Sequence, residues 1–288
     1  MAHDIFKVGD LTAIIGDNAA QEPHMAGLNG IWSLVHRTDT GSLFTPATAG
    51  LNHEHIFDGD KCDGSGDRKI FFEPRHAPMA FKKLSDSEAE LHQPPTPTFH
   101  LESWTRFVLK PPHYVDMTYR CKPAQHAFNN GYIGLFWASY INAPDDRSMY
   151  FRNNGNWQQL CTQAHNDEST VRHKTDMLEL KYRKGIGPAL FQNFSPLRFD
   201  EPFFYGLVRN HLAIFVFDRT EGIRFTHSPS GGGSNRELQT SNPAWDFQYV
   251  LAKYEVNKEY GFRVRLAYRE RCSRAEVLQE VERMKKTD

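Results

Sequence analysis

The sequence has few cysteines, no long apolar run and almost no net charge, and each shortage removes a class of protein. Cys62, Cys121, Cys161 and Cys272 are scattered over 288 residues with no C-x-x-C pair. That pattern fits neither a zinc knuckle nor a disulfide framework, so reduced, mostly buried thiols are expected. The longest apolar stretches, such as Ile133 to Trp137 and Leu212 to Phe217, fall far short of the ~20 residues a membrane-spanning helix needs. The opening Met-Ala-His-Asp-Ile-Phe lacks the basic and apolar regions of a secretory leader, and a cytoplasmic location is expected. With 34 Lys and Arg against 35 Asp and Glu, the formal net charge is −1. No basic field is left to hold a phosphate backbone, so neither nucleic acid nor membrane is an expected partner. G-x-S-x-G, P-loop and H-E-x-x-H motifs are all missing. Gly231-Gly232-Gly233 precedes no helical pattern and is not a dinucleotide fingerprint, and no cofactor is expected.

What the sequence does have is aromatic side chains: 21 Phe, 11 Tyr and 5 Trp, which pack well on pleated surfaces and favour strands. Turn signals recur at short intervals: Gly16-Asp17-Asn18, Thr38 to Gly41, Asn129-Asn130-Gly131, Asp145-Asp146 and Asn153-Asn154-Gly155. Between them the strand-like runs are 11–16, 31–36, 80–84, 99–110, 113–121, 132–142, 203–209, 212–219, 223–227, 245–251 and 261–269. In the last of these Phe262, Val264, Leu266 and Tyr268 share one face and Arg263 and Arg265 the other. Leu212 to Phe217 is apolar on both faces, as a central strand covered on both sides would be. Ser273 followed by Glu276 is a capping box, and Leu278, Val281 and Met284 then recur at helical spacing beside Val277. The expected fold is therefore all-β: one large antiparallel β-sandwich domain over 1–288, closed by a short helix over 273–286. Segments 59–67, 92–98 and 228–242 read as loops.

Four polar clusters are candidates for chemistry. In Asn52-His53-Glu54-His55, an extended chain would point both imidazoles one way and Glu54 the other. Acid–base use of Glu54 and His55 is one reading; a metal shared by His53 and His55, with His76, His100 or His113 as third ligand, is another. Glu73-Pro74-Arg75-His76 offers a carboxylate and a guanidinium beside a rigid proline. Along 100–108, His100, Glu102, Trp104, Arg106 and Val108 share a face, and a two-residue turn at Pro111-Pro112 would set Tyr119 opposite Trp104. An indole flanked by acid, base and guanidinium suits a pyranose, whose C–H face stacks on the ring while charged groups bridge its hydroxyls. Finally, Arg219, Arg224 and His227 precede the glycine loop, and Trp245 and Asp246 follow it.

The segments Gly50 to Phe57, Gly134 to Tyr140 and Asn242 to Phe247, set among many short strands, resemble the galactose-mutarotase-like superfamily of large β-sandwiches, in a less characterised bacterial branch. The resemblance implies a sugar ligand bound across a broad sheet face, here by Asn52, His53, His100, Trp104, Tyr119, Trp137, Arg219, Arg224, His227, Trp245 and Asp246. It also implies a His acid and a Glu base, for which Glu54 with His55 or His113 is the expected pair, and Arg75 an aid to binding. An epimerase-like, carbohydrate-active protein is the leading expectation. A polysaccharide lyase or a glycoside hydrolase (Glu54 with Glu73 or Glu102), a non-catalytic sugar-binding protein and a His-ligated metalloprotein are the alternatives. The sequence sets neither the sugar nor the oligomeric state.

Overall fold

The computed structural model describes residues 2–61, 68–164, 166–183, 192–235 and 239–285, without the side chains of residues 68 and 69. The chain begins with β1 (His3–Val8), β2 (Leu11–Gly16), β3 (Gly30–His36) and β4 (Asn52–Phe57), then two single helical turns, α1 (Arg68–Phe71) and α2 (Glu73–His76). Next come β5 (Ala80–Ser85), β6 (Glu88–Gln93), β7 (Leu101–Lys110), β8 (Tyr114–Pro123), β9 (Ile133–Ala138), β10 (Met149–Asn153) and β11 (Asn156–Leu160). The second half holds β12 (Thr170–His173), β13 (Phe194–Phe199), β14 (Phe203–Val208), β15 (His211–Phe217) and β16 (Ile223–Ser228). It ends with β17 (Ser234–Asn235), β18 (Thr240–Ser241), β19 (Ala244–Leu251), β20 (Tyr260–Glu270) and the helix α3 (Arg274–Lys285).

These strands form a nine-stranded sheet, β11-β10-β14-β15-β20-β8-β7-β6-β5, and a six-stranded sheet, β13-β12-β16-β19-β9-β4. A three-stranded sheet β1-β2-β3 and the two-stranded β17-β18 complete the set. Every described pairing is antiparallel except β12 with β13. The two large sheets face each other across an aromatic core. Trp137 of the smaller sheet meets Phe262 of the larger edge-on with ring centroids 5.0 Å apart, and Phe247 meets it at 5.6 Å. Burying one such ring stabilises the fold by roughly 1.5–3 kcal/mol. The architecture is the expected β-sandwich.

The central strand behaves as its composition requires. On β15, Ala213, Phe215 and Phe217 enter the main core, while Leu212, Ile214 and Val216 face outward under Val277, Val281 and Met284 of α3. The Ser273 hydroxyl and amide both donate to the Glu276 carboxylate, and the Glu276 amide donates back to the hydroxyl, so the cap forms as read. The arginine face of β20 is less wet than expected, because Arg265 makes a paired contact with Asp116 at 2.6 and 2.8 Å and is 7% exposed. Among the described residues no helix is long and apolar enough to cross a membrane.

Candidate functional site

The six-stranded sheet is buried on both faces, and its outer face carries polar side chains. Alternation places Trp245, Phe247 and Tyr249 of β19 in the core and sends Asp246 and Gln248 outward. On β9 alternation sets Leu135 and Trp137 on the inner face and Phe136 and Ala138 on the outer one, and all four are buried among apolar neighbours. Asn52 of β4 is registered against Ala138, and His55 against Phe136. The pairing slips between His53 and His55, so Glu54 is an extra residue with no partner on β9. This bulge re-aims the strand. His53 turns into the core, while Glu54 and His55 end on the outer face together.

That result corrects the expectation that His53 and His55 point the same way. The His53 ring stacks on Trp137 at 4.8 Å and burial, aided by the charge of His55, holds its pKa down to about 3. It is a neutral core residue, and the two imidazoles do not form a shared ligand pair.

Around Glu54 the geometry is tight. Its Oε1 accepts the Tyr140 hydroxyl at 2.5 Å and Arg75 Nη1 at 3.1 Å, and its Oε2 lies 3.5 Å from His55 Nε2. His55 Nδ1 is 2.7 Å from the Phe71 carbonyl, which only accepts, so Nδ1 carries hydrogen. Nε2 is then the nitrogen that faces the carboxylate. Arg75 is held by the Gly27 carbonyl at 2.8 Å and lies over the Phe72 ring. Its side chain is 23% exposed against 8% for Glu54, so it marks where the cluster meets solvent. Asn52 Oδ1 accepts the Asn29 amide, and its Nδ2 is buried with no partner among the described residues.

Two carboxyls on this face are driven in opposite directions. Burial alone would raise Glu54, at a cost of several kcal/mol per buried ion, but His55, Tyr140 and Arg75 together outweigh it and hold the group below its ordinary value. Asp246 is also buried, and its Oδ1 accepts one backbone amide, from Ser139 at 3.0 Å. One amide does not offset burial, and the charge of Glu54 adds to it, so Asp246 is pushed well above the usual carboxylate range. The surroundings therefore favour the ionised form of Glu54 and the protonated form of Asp246. Environments that split two carboxyls in this way fit them for base and acid duty.

Other sequence candidates lie elsewhere. The β7–β8 turn has three residues, not two, so Tyr119 is paired with Thr105 and points into the core, on the side opposite Trp104. Trp104 lies on the outer face of the large sheet, stacked on His92 at 5.3 Å and under Arg120. His100 precedes β7 with φ 49° and does not join the strand. Trp137 and Trp245 are wholly buried; Trp245 packs where a Cβ on Gly206 would strike its ring. His113 is 3.9 Å from Glu280 of α3, far along the chain from Glu54's neighbours. His227 bonds Thr162 and the Arg147 carbonyl, and burial takes it down to about 4. Arg219 pairs with Asp218, and Arg224 with Asp176. Glu73 accepts the Thr98 and Phe99 amides and Glu102 pairs with His92, so neither carboxylate joins Glu54. Much of the 59–67 loop lies outside the described residues, as does Cys62; Cys121, Cys161 and Cys272 are free.

Sequence reasoning missed Tyr140 as a site residue. Its signal was present, since Phe136, Ala138 and Tyr140 alternate on one face of the stretch that follows Gly134.

No family model and no curated protein sequence matches the chain. Solved structures do. A protein of Escherichia coli K12 provisionally assigned as an aldose 1-epimerase superposes with a TM-score of 0.54 at 9% identity, over 93% of this chain and 99% of that one. The fold is that of the galactose-mutarotase-like proteins. An α-N-acetylgalactosaminidase of Bifidobacterium bifidum, in complex with GalNAc, also superposes at 0.54 and 9% identity, over 96% of this chain and 38% of that one. Within this shared sandwich fold, the Glu54–Asp246 cluster sits on the outer face of the smaller sheet.

Proposed function

We propose that this protein binds a sugar at the outer face of the six-stranded sheet and acts on it by general acid–base catalysis, as an epimerase does. The observation that carries the reading is the carboxyl pair on one face: Glu54 held low by contacts with Arg75, Tyr140 and His55, and Asp246 pushed up by burial with one backbone amide as partner. The two fold relatives, one provisionally assigned as an aldose 1-epimerase and the other an α-N-acetylgalactosaminidase, support a carbohydrate ligand. In this mechanism Glu54 takes the proton of the anomeric hydroxyl as the ring C–O bond opens. Asp246 gives its proton to the ring oxygen. The open-chain aldehyde turns over and recloses with the two roles reversed, so protons balance and no cofactor is consumed. His55 Nε2 would relay protons with Glu54, and Arg75 and Asn52 would hold hydroxyls.

The near-complete burial of Glu54 and Asp246 favours a second reading, in which the cluster fixes the sheet and sugar is bound without turnover. One experiment separates them. Wild-type protein should accelerate anomer exchange of a reducing sugar above the buffer rate, read by magnetisation transfer. Glu54→Gln should lower that rate by roughly two orders of magnitude with thermal unfolding little changed. A folded Glu54→Gln protein with undiminished exchange removes Glu54 from the mechanism. Binding without any exchange in the wild type favours the second reading.

A further inference from the structure

Follow the row of outer-face side chains away from His55. Register carries it from His55 to Phe136, to Gln248, to Arg224, to Arg172 and to Arg198. Residues opposite one another on neighbouring strands share a face. Three guanidiniums therefore stand side by side across β16, β12 and β13. The carboxylates near them are Asp176, which holds Arg224 through Nε at 2.7 Å and Nη2 at 3.3 Å, and Glu179. Arg198 spends Nη1 on the Ser195 and Leu197 carbonyls. Arg172 lies over the Phe194 ring at 4.1 Å, a contact that positions the guanidinium without neutralising it.

Atoms are left over. Arg224 is wholly buried, and its Nη1 has no hydrogen-bond partner among the described residues. Arg172 Nε is likewise buried and without a partner among the described residues. Each buried donor left without an acceptor costs about 1–3 kcal/mol, more for a charged one. The oxygens of a carboxylate, sulfate or phosphate group accept from guanidinium N–H groups. Arg224 also lines a cavity of about 860 Å³, whose walls include Arg219, Lys253 and His173, the residue after Arg172, so the Arg224 end of the row borders a space of ligand size.

We propose that this row is an anion subsite, in which Arg172 and Arg224 hold the carboxylate, sulfate or phosphate ester of an acidic carbohydrate. The inference rests on the sugar-binding reading above and sharpens its substrate class. Three strand spacings, about 14 Å, separate Arg224 from His55 along the row. That exceeds the reach of one pyranose ring, so the anion belongs to a neighbouring unit of an oligosaccharide, not to the ring that reacts.

The test is calorimetric titration of the full chain with a uronate-containing disaccharide, its neutral methyl ester, and a sulfated neutral disaccharide beside its unsulfated form. Wild-type protein should bind a charged member at least about tenfold more tightly than its neutral counterpart. Whether the carboxylate or the sulfate shows the larger ratio identifies the anion. Arg172→Gln should collapse the ratio toward one, and Arg172→Lys, which keeps the charge, should restore part of it. Equal binding of charged and neutral forms, or a ratio that survives Arg172→Gln, overturns the anion subsite. If no disaccharide binds, the sugar reading falls and inorganic phosphate decides the subsite alone. Phosphate that raises the Tm of wild type but not of Arg172→Gln upholds it; no rise in either overturns it.

Discussion

Asp246 and Glu54 show how one face sets two like groups apart. Asp246 is raised mainly by burial, against the pull of the Ser139 amide, so the folded protein holds a proton there that the unfolded chain gives up near pH 4. Its contribution to stability is complete below that pH and is lost as pH rises through the folded value. Glu54 runs the other way: burial opposes ionisation, the three partners win, and its contribution is present above the unfolded pKa and lost on acidification. Asp246→Asn mimics the protonated acid. Its thermal stability relative to wild type should therefore rise as pH climbs above about 4, until Asp246 itself ionises in the folded wild type. A difference that stays flat above pH 4 contradicts a raised Asp246. These residues were legible as a polar group in the sequence, Asn52, Glu54, His55, Arg75 and Asp246 all standing out. Tyr140 was not singled out, because a tyrosine after a run of core residues reads as more core.

At the scale of elements, alternation was readable and register was not. Phe262, Val264, Leu266 and Tyr268 line the core as their spacing required. The bulge at Glu54 and the three-residue turn after Lys110 were invisible, because both are fixed by the partner strand, β9 in one case and β8 in the other. One residue of slip moved Tyr119 from a sugar platform into the core. Short polar strands such as β12, β13 and β11 carry too little propensity to be found without their neighbours. The C-terminal helix was legible because its signal is local. Ser273→Ala removes the hydroxyl that serves the Glu276 amide, and should lower unfolding free energy by about 0.5–2 kcal/mol. Chemical denaturation with an unchanged m-value would measure it. A loss near zero would mean that α3 is held by Val277, Val281 and Met284 alone.

For the whole molecule, two sheets enclose an aromatic core and leave a polar outer face on the smaller one. Trp137 and Trp245, read as ligand platforms, were recruited to that core instead, since a wholly buried indole contributes more by packing than by standing exposed. Glu54 and Asp246 lie on the opposite face of the smaller sheet, where the proposed chemistry would take place. The central claim is that these two carboxyls hold opposite protonation states in the folded protein. Carbon-13 NMR titration of the side-chain carboxyls, with Glu54→Gln and Asp246→Asn spectra to assign the two resonances, reads those states directly. The account predicts an ionised Glu54 and a protonated Asp246 at neutral pH, with Asp246 titrating well above the ordinary carboxylate range. Two resonances that both titrate near pH 4 would contradict it.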